Sequence, residues 1–125
     1  MDTSERSKAS GLAEGESGSR AELLKNIGME IAKRELRAAN IVLTELQELR
    51  VENHLAALVS RQQKKEHLAE IEEALMNEVS LWGWEVAEKA TLHLNLPDWQ
   101  ISRAEQFLLA IHFETAKVEN SLIGA

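Results

Sequence analysis

The sequence predicts an all-α fold, a compact bundle of about five helices. Three observations point there. From Ala21 to Ile123, apolar residues recur at helical spacing. No strand-like alternation bounded by Asn-Gly or Asp-Gly turns occurs. Two Ser/Thr-x-x-Glu/Gln capping boxes are present, Thr44/Gln47 and Ser102/Glu105, and the chain has only one proline to interrupt helices.

Residues 1–20 are rich in Ser, Gly, Glu, Lys, Arg and Ala, with Leu12 the only large apolar residue after Met1. Such a segment buries too little apolar surface to offset its ordering entropy. It reads as a flexible N-terminal tail, part of which can extend the first helix. Residues 21–125 read as one helical domain. The first helix is expected over Ala21–Ala38, with Leu24, Ile27, Ile31 and Leu36 inward. Thr44 caps a second helix that reaches Lys65. A third is expected over His67–Val79, with Leu68, Ile71, Leu75 and Val79 on one face. A fourth covers Leu81–Leu94 and ends near Pro97. Ser102 opens the last helix, which runs to Ser121. Its apolar stripe is Ala104, Phe107, Leu108, Ile111, Thr115, Val118 and Leu122, and Glu105, His112 and Glu119 share one flank at seven-residue spacing.

Composition removes several function classes. The chain has no cysteine, which excludes a disulfide framework, a thiolate nucleophile and cysteine-ligated metal. Its 14 basic and 21 acidic residues give a net charge of −7, which argues against broad nucleic-acid or anionic-membrane binding. No apolar run approaches the roughly 20 residues that span a bilayer. The first residues lack the apolar core of a signal peptide, so a cytoplasmic protein is expected. There is no His-Glu-x-x-His, no histidine pair three or four residues apart, no phosphate-cradling glycine loop and no Gly-x-Ser-x-Gly. Neither an enzyme nor a bound metal or cofactor is therefore expected, and histidines converging on a metal are the remotest reading. Trp82, Trp84 and Trp99 are most simply core anchors or interface residues.

The four histidines carry most of the distinctive chemistry. Arg61 lies two helical turns beyond His54 and faces the same way. A nearby cation favours the neutral, nucleophilic imidazole, and the guanidinium fork suits a phosphoryl group. Taken alone, the pair reads more simply as a surface histidine with an unrelated arginine. His112 borders the apolar stripe of the last helix, where a packed, hydrogen-bonded histidine is the commoner case. His67 and His93 read as structural.

Two segments together resemble a known family. Asn53-His54-Leu55 through Arg61 resembles the first histidine motif of the phosphotransferase-system regulation domain (PRD): an acidic residue, His-Leu, then an arginine seven residues after the histidine. Asn53 stands where the family commonly has aspartate. Leu96-Pro97 followed by Ala104-Glu105-Gln106-Phe107-Leu108-Leu109-Ala110-Ile111-His112 resembles the second motif. The 58-residue separation of the two histidines and the helical pair between them also suit the family. The resemblance implies a compact helical bundle that forms homodimers and regulates rather than catalyses. It implies His54 and His112 as phosphoacceptors, with Arg61, Asn53 and Glu105 as phosphate or structural partners. The implied donor is the histidine phosphocarrier protein or an enzyme II component of the bacterial sugar phosphotransferase system. A single stand-alone module is expected, acting through a further protein rather than directly on nucleic acid. The competing expectation is a purely structural dimeric helical module whose histidines are packing residues.

Overall fold

The structure, a computed structural model, describes the backbone of residues 2–124 and the side chains of residues 18–121. Most of the expected tail therefore lies outside the residues whose side chains are described. Five α-helices occur among the described residues: α1 Asp2–Ala38, α2 Glu45–Lys64, α3 Glu73–Met76, α4 Leu81–Thr91 and α5 Arg103–Gly124. A 3-10 turn, Leu92–Leu94, extends α4. The all-α expectation holds, and the only β feature among these residues is an isolated bridge between Leu96 and Trp99.

Chain signals set the helix ends. Asn40 adopts φ 63°, and the Ile41 and Asn40 amides return to the Leu36 and Arg37 carbonyls at 2.9 Å each, a Schellman closure of α1. Lys65, at φ 56°, closes α2 in the same way onto Arg61 and Gln62. The Thr44/Gln47 capping box is complete in both directions. Ser80 caps α4, its hydroxyl accepting from the Gly83 amide.

Four helices form a ring in which α1 packs on α2 and α4, and α5 packs on the same two. Ion pairs Lys25–Glu52 and Lys33–Glu48 tie α1 to α2. Lys89–Glu35 ties α4 to α1, and Glu114 of α5 accepts from the Ser80 amide at the start of α4. The core at the centre of the ring includes Leu36, Val51, Leu55, Val86, Leu109 and Phe113. A second cluster of Leu58, Val59, Leu94 and Trp99 closes one end.

Three sequence expectations are corrected. On α1, Ile27 points outward at 36% exposure, and the inner face is Gly28, Met29, Ala32 and Leu36. Close approach decides this: a Cβ on Gly28 would lie 2.9 Å from the Ala90 carbonyl of α4. On α5, Ile111, Thr115 and Val118 face solvent, while Glu105, Leu109, Ala110, Phe113 and Ala116 are buried. Ala104 and Phe107 are buried as expected, and the rest of the buried face turns towards small residues, Ala110 and Ala116, that let α5 approach its neighbours. Finally, the third helix shrinks from the expected His67–Val79 to the single turn Glu73–Met76. Residues 66–72 lie outside a helix, and Trp99 holds the start of this segment. Its indole N–H donates to the Glu66 carbonyl at 2.9 Å and its ring stacks on His67 at 5.2 Å. His67 Nε2 also donates to the Gln100 carbonyl at 3.0 Å.

Candidate functional site

On α2, Gln47, His54 and Arg61 recur every seven residues, and on α5 Glu105, His112 and Glu119 do the same. Seven residues is nearly two turns, so each set lies along one flank of its helix. The helices run antiparallel, which opposes the sets as three polar layers. Gln47 Nε2 donates to a Glu119 carboxylate oxygen at 2.8 Å. His54 meets His112 in the middle, ring centroids 5.7 Å apart and planes tilted by 57°. At the third layer Arg61 donates through Nε and Nη2 to the two Glu105 oxygens at 2.6 and 2.7 Å. Residues 58 positions apart in sequence thus share one layer.

The third layer is the most deeply placed. The Glu105 side chain is fully buried and that of Arg61 is 22% exposed. A buried carboxylate is tolerated because a guanidinium fork satisfies both its oxygens. This revises the role of Glu105. Its amide takes the Ser102 hydroxyl at 3.3 Å, but its carboxylate turns to Arg61 instead of returning to complete a capping box. The salt bridge holds the guanidinium firmly in its charged form.

Both seam histidines titrate below the usual imidazole range. For His54 the main cause is burial, reinforced by the charges of His112 and Arg61 and opposed by Glu105. For His112 it is burial first, then the positive charge of Arg50. Each ring is therefore neutral near pH 7 and keeps one nitrogen lone pair. The nitrogens differ in access. His54 Nε2 is enclosed without a hydrogen-bond partner, whereas neither His112 nitrogen is enclosed in that way. Two neutral imidazoles in one layer can exchange a proton, or offer a lone pair to an electrophile that reaches the seam.

The remaining sequence candidates fall elsewhere. Asn53 is exposed on α2 and makes no side-chain hydrogen bond among the described residues. His93 Nε2 donates to the Leu24 carbonyl of α1 at 2.8 Å, and its Nδ1 is enclosed without a partner. His67 packs on Trp99. Trp99 is a core anchor at 2% exposure, and Trp82 and Trp84 lie half-buried beneath Lys117 and Arg103, 4.8 and 4.3 Å from the ring centroids. No group of three or more metal-ligating side chains occurs among the described residues. No helix among them is long and apolar enough to cross a membrane. In the sequence Gln47 was read only as the capping-box partner of Thr44 and Arg50 went unassigned, although the 47–54–61 spacing was there to place the first in the seam.

A solved structure shares this architecture: a PRD-containing transcription regulator from Lactobacillus casei ATCC 334. It superposes with a TM-score of 0.64 at 28% sequence identity, covering 79% of this chain and 81% of that one. The fold is PRD-like. No family model matches the chain, and none of the curated proteins does.

Proposed function

We propose that this chain is a regulatory module switched by histidine phosphorylation, with His54 and His112 as its acceptors. A phosphohistidine of the bacterial sugar phosphotransferase system, on the histidine phosphocarrier protein or an enzyme II component, is the donor. The module acts on transcription or metabolism through a protein partner and turns over no substrate of its own. The observation that carries this reading is the middle layer, where two neutral histidines from distant parts of the chain face each other at 5.7 Å. The likeness to a PRD-containing transcription regulator supports the regulatory part.

A phosphoryl group brings about −1.5 to −2 charges and three acceptor oxygens into that layer. Such a switch biases a two-state packing by about 1–3 kcal/mol, the usual size of a coupling between sites. Exposed apolar side chains on both helices, Leu46 and Leu49 of α2 with Ile111 and Val118 of α5, support a homodimer as the element so biased. The buried Arg61–Glu105 pair favours a structural role for those two motif residues, whatever the histidines do.

The test is incubation with phosphoenolpyruvate, enzyme I and the phosphocarrier, followed by intact-mass measurement at neutral or alkaline pH. The wild type gains one or two phosphoryl masses, and the His54→Ala/His112→Ala variant gains none. No gain alongside an active donor control overturns the proposal and leaves a structural module.

A further inference from the structure

We infer that His112 is the first acceptor and that Arg50 is the cation that holds the arriving phosphoryl oxygens beside it. This rests on the phosphotransfer reading above and assigns a role to a residue outside both histidine motifs.

Three observations lead there. The first removes Arg61. Its Nε and Nη2 are occupied by Glu105, whose side chain has no solvent exposure. Turning that fork towards a phosphoryl group would strand a buried carboxylate, which is far costlier than leaving the pair intact. The second concerns Arg50, one turn before His54 on α2. It is exposed and has no carboxylate within ion-pair distance among the described residues. Its spacing puts it on the flank of α2 that carries His54, whose ring faces His112 at 5.7 Å, and its charge helps hold the His112 titration low. An unpaired guanidinium at the open edge of the seam is thus free to fork two oxygens of an anion. The third is access. His54 Nε2 is enclosed without a partner, whereas neither His112 nitrogen is enclosed in that way. A donor approaching from solvent therefore meets Arg50 and two unenclosed nitrogens on His112, against a single one, Nδ1, on His54.

The step balances without an added reagent. The lone pair of a neutral His112 nitrogen attacks the phosphorus of the donor's phosphohistidine. The new N–P bond forms as the donor's N–P bond breaks, and the donor imidazole keeps that bond's electron pair. The other His112 nitrogen retains its proton. Arg50 neutralises charge on the transferring oxygens throughout, as cationic clamps do in other phosphoryl transfers.

The experiment compares wild type, Arg50→Gln and Arg50→Lys with two donors: the phosphocarrier system, and phosphoramidate, a small P–N donor that needs no protein contact. Peptide mapping at neutral or alkaline pH follows label on each histidine over time, and circular dichroism confirms the fold of these surface variants. In the expected result, label enters His112 first. Arg50→Gln slows that entry at least tenfold, about 1.4 kcal/mol of barrier, with both donors, and Arg50→Lys recovers part of the rate. An unchanged rate in Arg50→Gln with phosphoramidate overturns the role of Arg50, and first entry at His54 overturns the acceptor order. Labelling by phosphoramidate alone removes the proposed protein donor, and the Arg50 comparison still decides. No label from either donor overturns both readings.

Discussion

Replacing Arg61 with methionine tests whether the third layer of the seam is an integral part of the fold. The substitution keeps much of the side chain's apolar stem and removes the guanidinium that forks Glu105 at 2.6 and 2.7 Å. The carboxylate left behind is fully buried and has no second cationic partner among the described residues. Breaking a buried pair from one side costs about 3–5 kcal/mol, because the remaining charge is stranded away from water. Arg61 retains 22% exposure, so some water can reach the site, and the low end, about 3 kcal/mol, is the appropriate figure. For a domain of this size that corresponds to a fall in melting temperature of about 12 °C. Removing both charges, in Arg61→Met/Glu105→Leu, leaves nothing stranded and costs less than Arg61→Met alone. Urea unfolding of wild type, both single variants and the double variant closes the cycle. A loss below about 1 kcal/mol in Arg61→Met, the size of an exposed ion pair, refutes the reasoning. So does a double variant no more stable than the worse single one.

Two further outcomes follow from the same packing. Both seam histidines titrate low in the folded protein, so above about pH 6.5 they are neutral in folded and unfolded chains alike and their contribution is complete. As pH falls below that value the unfolded chain takes up protons that the folded one resists. Stability is then lost at up to about 1.4 kcal/mol per pH unit per histidine, with half-exposed His112 giving the smaller share. Urea midpoints from pH 7.5 to 5 in wild type and His54→Gln/His112→Gln check this, and equal slopes in the two proteins count against it. Gly28→Ala places a methyl 2.9 Å from the Ala90 carbonyl and 3.3 Å from a Leu55 methyl, where backbone cannot yield. It destabilises by about 1–2 kcal/mol after the gain in helix propensity. Gly18→Ala, with nothing within 4 Å, is neutral or stabilising. Thermal melts distinguish the two, and a stabilised Gly28→Ala contradicts the close packing of α1 on α4.

The helices with strong end signals were legible in the sequence. Thr44/Gln47 marked the start of α2, and Pro97 bounded the end of the α4 region. Where the reading failed, a tertiary contact overrode a local pattern. Residues 67–79 have a helical apolar period, yet the Trp99 indole takes the Glu66 carbonyl and the His67 ring, which keeps the segment's start out of a helix. On α1 and α5, hydrophobicity alone chose Ile27, Ile111 and Val118 as inward. The inner faces went instead to small residues such as Gly28, Ala32, Ala110 and Ala116, which let helix backbones approach. Of the candidate site, the two motifs located four of the six seam residues, His54, Arg61, Glu105 and His112, and the seven-residue flank added Glu119. The motifs could not show that Glu105 pairs with Arg61 rather than capping its own helix. That depends on the antiparallel register of α2 and α5, which local sequence does not encode.

That register also has a mechanical side. Gln47 and Arg61 each lie seven residues from His54, about 10 Å along the axis in either direction. The histidine layer is therefore the fulcrum of a lever with equal arms. A wedge driven in near one end of such a pair would open it like a jaw, with the far end as hinge. A wedge at the midpoint pushes both clasps at once, an amide–carboxylate contact on one side and a buried ion pair on the other. Because the ion pair resists far more strongly, such a wedge would open the pair first at the Gln47–Glu119 end and leave the Arg61–Glu105 end pinned.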